Sequence, residues 1–370
     1  MKIFKIKKLT VILIMIIIIN LLLGFKDPSP SAESAVLIDS KTGRIMYSLN
    51  HDLKRPMAST TKIMTALLAI EHGDLDSIVK VKDSAVGVEG SSIYLAKNEE
   101  ILLKDLIYGL MLRSGNDAAV AIAEHISGSI DKFVILMNEK AKDIGALNTN
   151  FVNPHGLHDS NHYSTAYDLA IITREAMKLD FFREVSKTKT WVANREINQH
   201  FLNKNDVLWD YKGGDGVKIG YTKAAGRCLV ASATRDEMQL IAVVINDGNW
   251  FNDCYRMFDF GFENYKPTLL ISKGQFLKKI KISNGYKDYF NLLSEDDLII
   301  PLKDEEKEKA KIILNLPDSL SAPIYKGQKL GNIQVFLEGE LLHTAEIKSM
   351  LEISKPKSKN NFIKFLKSIF

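Results

Sequence analysis

Apolar positions along this chain change period several times, and each change marks an element. Ala35-Val36-Leu37-Ile38 and Arg44-Ile45-Met46-Tyr47 flank Lys41-Thr42-Gly43, which predicts a hairpin over 34–48. After Ser59, Ile63, Met64, Leu67, Leu68 and Ile70 recur at helical spacing, and Pro56 with the Ser/Thr run marks where that helix starts. The same period predicts helices over 59–72, 103–113, 116–127, 131–145, 167–177 and 252–264. Between the last two the chain becomes strand-like from Val217, with wholly apolar or alternating runs at Cys228–Ala233 and Gln239–Ile245. Strands at both ends and helices between them predict an α/β (α+β) sandwich of antiparallel sheet and helices over 33–265. Past Tyr265-Lys266-Pro267, short runs such as Leu298-Ile299-Ile300 and Ile333-Gln334-Val335 alternate with Gly, Pro and charged turns. They predict a small all-β domain over 266–353, which reads as a stalk or spacer.

The two ends have patterns of their own. Lys2, Lys5, Lys7 and Lys8 precede an apolar run from Leu9 to Phe25, followed by Pro28, Pro30 and small residues. This is the pattern of a secretory signal peptide, 1–32, with cleavage expected near Ser31 or Ala32 and the body outside the cytoplasm. At the other end, 354–370, Phe362, Ile363, Phe365, Leu366, Ile369 and Phe370 share one helical face, with Lys364 and Lys367 opposite. Such a tail suits the surface of an anionic membrane.

Charge sharpens this division. The formal net charge of the 370-residue chain is +4, yet 1–32 and 355–370 each carry five lysines. The stretch 33–354 is therefore near −5, and it has no basic face with interleaved aromatics, so nucleic acid is not an expected partner. Two cysteines, Cys228 and Cys254, could pair in an exported protein, although Cys228 reads as a small residue in a buried strand. No Cys/His cluster has metal-ligand spacing, and neither metal nor cofactor is expected.

Three short elements carry the chemistry: Ser59-Thr60-Thr61-Lys62, Ser114-Gly115-Asn116 and Lys218-Ile219-Gly220. Singly they are weak. Ser186-Lys187-Thr188-Lys189 and Ser354-Lys355-Pro356-Lys357 also fit Ser-x-x-Lys, Ser48-Leu49-Asn50 fits Ser-x-Asn, and Lys41-Thr42-Gly43 spells Lys-Thr-Gly. Context separates them. Only Ser59 opens a strongly periodic helix, where the macrodipole favours an alkoxide-like serine and a lysine one turn on shares its face. The triplet at 41–43 falls in a hairpin turn.

In this order the three elements resemble the active-site set of penicillin-binding proteins and serine β-lactamases. Ala35-Val36-Leu37-Ile38-Asp39, Ser114-Gly115-Asn116-Asp117-Ala118, Asn153-Pro154-His155-Gly156-Leu157 and Gly226–Ala233 narrow the likeness. Over 34–353 the chain resembles exported D-alanyl-D-alanine carboxypeptidases of low molecular mass. The resemblance implies a transpeptidase/β-lactamase-like fold and removal of the terminal D-alanine from peptidoglycan stem peptides through an acyl-enzyme, with β-lactams as inhibitors. It implies Ser59 as nucleophile and Lys62 as its base. Ser114 and Asn116 would continue the proton path and hold the substrate amide, and Lys218 and Gly220 would bind substrate. It also implies a membrane-bound tail, as many of these enzymes carry one.

The family's third element has Thr or Ser in the middle, where this chain has Ile219, which cannot donate to a carboxylate. In a regular strand Thr222 would share a face with Lys218 and Gly220 and could compensate. A low-turnover binder or sensor of peptidoglycan ends is the alternative that Ile219 suggests. A β-lactamase ranks lower, because 150–170 has no glutamate to clear an acyl-enzyme. His155 reads as a loop-fixing histidine and Asp117 as a helix-start residue that orients its neighbours.

Overall fold

The computed structural model describes residues 27–355, which divide between Asn264 and Tyr265 into two compact units. The expected signal peptide up to residue 26 and the amphipathic tail from 356 lie outside the described residues.

The first unit is built on a five-stranded sheet in the order Ile45–Leu49, Ser34–Asp39, Met238–Ile245, Gly226–Arg235, Gly214–Thr222, with every neighbouring pair antiparallel. Leu37 pairs with Ala242, Leu229 with Val244 and Lys218 with Val230, so the N-terminal strand enters the sheet beside the C-terminal ones. The helix Ala166–Ala176 packs on Ser34–Asp39 and Met238–Ile245, and Trp250–Asn264 packs on Met238–Ile245 and Gly226–Arg235. Covered by both, the central strands are apolar almost throughout rather than alternating. Gly214–Thr222 ends the sheet and leaves one backbone edge unpaired within it.

The helix Lys62–His72 lies in the middle of the helical layer, against Leu103–Leu112, Asn116–Ser127 and Ala166–Ala176. Lys62 through Ala69 are all buried, so this helix is enclosed rather than amphipathic. It starts three residues later than its period suggests. Thr60 and Thr61 hydroxyls donate to the carbonyls of Met57 and Ala58 at 2.6 and 2.8 Å, which holds Ala58–Thr61 as a tight 3-10 turn.

The other predicted helices form with end shifts of a few residues. The helix Asp180–Lys187 and the hairpin Thr190–Val192/His200–Leu202 were not legible. They decide the fate of one look-alike: Ser186 is buried in the last turn of that helix, Lys187 pairs with Asp215 at 3.0 Å, and Lys189 stacks on Trp209. Lys41-Thr42-Gly43 forms the hairpin turn, tied to Asp39 through the Thr42 backbone and hydroxyl. Cys228 and Cys254 are separate buried thiols, and burial raises both pKa values, that of Cys228 to about 11.

The second unit is all-β, as its turn-punctuated runs predict. Its strands form a pair, Lys266–Ile271 with Leu298–Leu302, and two three-stranded sheets, around a core that includes Ile280, Phe290, Leu292, Ile300 and Val335.

Candidate active site

The turn that carries Ser59, the candidate nucleophile, is a strained start to a buried helix. Ala58 has φ +48, a left-handed conformation unfavourable for a residue with a Cβ, and Ser59 follows it partly exposed. One turn on, Lys62 is fully buried. Its Nζ donates to Asn116 Oδ1 at 2.6 Å and to the His155 carbonyl at 2.6 Å, and lies 3.0 Å from Ser59 Oγ. Burial, then the charge of Lys218, holds its pKa well below the ordinary lysine value, with Asp117 opposing.

The second element stands in the short connection between Leu103–Leu112 and Asn116–Ser127. Ser114 takes φ +63 and is almost buried. The Asn116 backbone N–H donates to Ser91 O at 2.7 Å and its amide Nδ2 to Glu89 O at 2.5 Å, which aims Oδ1 at Lys62. Both ends of the Asn116 amide therefore have protein partners, and the residue supports the lysine. Asp117 is buried, and its carboxylate accepts from Ser92 Oγ and from the backbone N–H groups of Ile93 and Leu95. It pins the chain from Ser92 to Leu95 beside the site, a wider task than orienting the start of its own helix.

The third element lies on the edge strand Gly214–Thr222. Lys218 is buried and its pKa falls to about 7, through burial and then the charge of Lys204. A Cβ on Gly220 would stand 2.9 Å from Ser59 N and 3.1 Å from Thr60 N, so only glycine lets this strand close on the nucleophile turn. Ile219 and Tyr221 alternate onto the more exposed side. Thr222 accepts from Ala225 N–H at 3.1 Å and closes the turn into the next strand. The structure thus joins Ser59, Lys62, Asn116, Lys218 and Gly220, with Ser114 two residues from Asn116, while Thr222 serves a turn.

Sequence reasoning missed two partners. The first is the His155 carbonyl. Asn153 Oδ1 accepts from the backbone N–H of His155 and Gly156, and Pro154 O accepts from Thr65 Oγ1, so the turn presents that carbonyl to Lys62. The His155 ring is held neutral, with its pKa lowered to about 3 by burial and Lys62, and its Nδ1 accepts from Leu157 N. That suits the loop-fixing reading. The second is His162, whose Nε2 lies 2.8 Å from Thr61 Oγ1. The turn-rich run Asn161-His162-Tyr163-Ser164 was a signal without a partner in sequence.

A serine at a helix start, a buried lysine whose pKa is lowered, an amide that locks it and a second buried lysine on an edge strand suit acyl transfer. The family model described as D-alanyl-D-alanine carboxypeptidase matches residues 24–249. The chain belongs to the D-alanyl-D-alanine carboxypeptidase family. A second model, the C-terminal domain of penicillin-binding protein 5, matches 265–355. Among relatives, D-alanyl-D-alanine carboxypeptidase DacF of Bacillus subtilis is 37% identical over 91% of this chain and 88% of its own length. DacA of Escherichia coli is 34% identical over 93% and 89%. The solved structure of penicillin binding protein 5 from Haemophilus influenzae is 32% identical, covers 90% of this chain and 100% of its own, and superposes with a TM-score of 0.74. Both units of this carboxypeptidase thus have relatives in the same order.

Proposed function

We infer that this enzyme removes the terminal D-alanine from pentapeptide stems of peptidoglycan through an acyl-enzyme on Ser59, the serine that β-lactams acylate. One observation carries the reading of the site. Lys62 Nζ faces two carbonyl oxygens and one serine hydroxyl. A neutral amine has two N–H groups for the carbonyls and one lone pair for the serine proton.

In this reading Ser59 Oγ attacks the carbonyl of the penultimate D-alanine while its proton passes to Lys62. Ser59 N–H, on the side where the edge strand closes, is a donor for the oxyanion. The amide breaks, and the proton travels by way of Ser114 to the nitrogen of the departing D-alanine. Water then attacks the ester, returns a proton to Ser59 and frees the shortened stem. Lys218 meets the terminal carboxylate, whose charge favours the ammonium form. The experiment incubates the protein with a D-Ala-D-Ala peptide and with a fluorescent penicillin, measures D-alanine release and maps the label. Release together with label on the peptide containing Ser59 supports the reading. Label on another serine refutes it.

We propose further that the chain is exported, and that 354–370 binds the extracytoplasmic face of the cell membrane. The lysine-led apolar run before residue 26 supports export. Residues 28–32 bear on where processing occurs. Pro28, Pro30 and Ala32 are buried, Ser31 Oγ donates to Asp247 at 2.7 Å, and Pro28 O accepts from Arg256. Cleavage near Ser31 or Ala32 would remove these contacts. For the tail, a protein ending at Ser354 should keep activity on soluble peptides and no longer sediment with anionic liposomes, while the full chain sediments less at high salt. Equal sedimentation of both rules the anchor out.

A further inference from the structure

His162 lies 103 residues beyond the nucleophile in sequence, yet a chain of hydrogen bonds links the two. Val152 N–H donates to His162 Nδ1 at 3.1 Å. A nitrogen that accepts carries no proton, so the proton of this neutral ring sits on Nε2. Nε2–H then donates to Thr61 Oγ1 at 2.8 Å. The Thr61 hydroxyl has one proton, and with Nε2–H as donor to its oxygen that proton goes to Ala58 O at 2.8 Å. The direction of every bond in the series is fixed by its first member.

Ala58 O and Ser59 N belong to one peptide plane, in which C=O and N–H point in opposite directions. Anchoring the carbonyl therefore aims the N–H of the nucleophile. This anchoring matters because Ala58 holds a left-handed φ of +48, which a residue with a Cβ adopts only under constraint. Gly156 packs against the same carbonyl and the same hydroxyl: at φ +89, a Cβ there would stand 1.9 Å from Ala58 O and 2.8 Å from Thr61 Oγ1. The ring is buried edge-on to Phe151, so water does not compete for its nitrogens.

We propose that His162 is a positioning residue: through Thr61 it fixes the Ala58–Ser59 peptide so that Ser59 N–H is aimed at the oxyanion of the acyl transfer. The proposal rests on the assignment of Ser59 as nucleophile. It separates two functions of the turn, because Lys62 and the serine hydroxyl remain in place when the relay is cut. Cutting it slows acylation without removing the nucleophile or the lysine that binds the carboxylate.

The test uses the full mature chain and fluorescent penicillin, with rate and final stoichiometry read separately. His162→Phe keeps a ring and removes both hydrogen bonds. It should slow acylation tenfold or more and lower kcat for D-alanine release with KM nearly unchanged, while label still reaches one per chain. His162→Gln can accept from Val152 N–H and donate to Thr61, and should recover most of the rate. Thr61→Val deletes only the middle hydroxyl and should match His162→Phe; it carries the test if the ring variant does not fold. Nitrogen-15 NMR should place the His162 proton on Nε2. A folded His162→Phe or Thr61→Val protein that acylates at the wild-type rate overturns the proposal, as does equal loss in His162→Gln and His162→Phe, or a proton on Nδ1. Absence of label from Ser59 in the wild type would instead overturn the nucleophile assignment.

Discussion

Replacing Ile219 with threonine should make this carboxypeptidase faster. Ile219 sits between Lys218 and Gly220 on the edge strand and is only partly buried. Lys218 Nζ donates to the Ile219 carbonyl at 3.0 Å, so its ammonium is held beside this residue. A hydroxyl at 219 would add one donor to the carboxylate that Lys218 attracts. A hydrogen bond to a charged group contributes about 1.5–3 kcal/mol. At about 1.36 kcal/mol per factor of ten, that is roughly ten- to a hundredfold in kcat/KM if the bond forms in the transition state. The cost is small: Thr is also β-branched and suits the strand, and the apolar area lost is worth about 1 kcal/mol at a partly exposed position. The assay compares wild type, Ile219→Thr and Ile219→Val for D-alanine release and for the second-order rate of penicillin acylation. Val keeps the branched shape without a donor and should leave both rates near wild type. If Ile219→Thr is folded and no faster than wild type, the carboxylate is bound by another arrangement and the donor argument fails.

Further outcomes follow from the same geometry. Ser59→Ala should abolish penicillin labelling and D-alanine release with the fold intact, whereas Ser186→Ala should label as wild type does; persistent label on Ser59→Ala would move the nucleophile elsewhere. Asp117→Ala leaves the Ile93 and Leu95 N–H groups and the Ser92 hydroxyl without their acceptor, and should lower unfolding free energy in urea by about 3–5 kcal/mol. A loss below 1 kcal/mol would show that the segment is held by packing. The neutral rings of His155 and His162 set an acid dependence. Burial first, then the charge of Lys62, lowers their pKa values from 6.5 to about 3 and about 4, with His158 also lowering that of His162 and Asp159 opposing. Between those values the unfolded chain binds more protons, so this stability is complete above pH 6.5 and is lost as pH falls toward 4. Urea midpoints should decline over that window and decline less steeply in His162→Gln; an unchanged slope would place the acid sensitivity elsewhere.

The legible and illegible parts of the chain divide by the range of the cause. The central strands could be read because burial on both faces leaves a continuous apolar run, and the Lys62–His72 helix because its period is strong. Ser59 and Lys62 could be read because their relation is local, one helical turn. The helix Asp180–Lys187 was missed: its eight residues are mostly polar, and its burial comes from elements distant in sequence. The His155 carbonyl could not be read because a backbone atom has no residue signature. The relay from His162 to Thr61 spans 101 positions, and only folding brings the two together. Thr222 could be placed on a face with Lys218 and Gly220 by strand alternation, but not its bond from Ala225 N–H, which the turn after the strand creates.

The site concentrates what the rest of the fold avoids. Among the described residues two lysines, Lys62 and Lys218, are buried without a carboxylate hydrogen-bonded to either, and burial disfavours the charged form of each. Both depressions mean that the folded chain binds fewer protons than the unfolded one, so at neutral pH these lysines subtract from stability. Ala58 and Ser114 add left-handed backbone beside them. In the proposed reading an anionic substrate relieves one of these costs, the burial of Lys218. In that reading its carboxylate supplies a counter-charge for Lys218, and a charged Lys218 in turn lowers the pKa of Lys62 by repulsion, toward the form that would accept the serine proton. Substrate binding and base activation would then be two consequences of one buried lysine. Filling that pair from within the protein, with an aspartate near Lys218, would stabilise the fold and remove the preference for an incoming carboxylate.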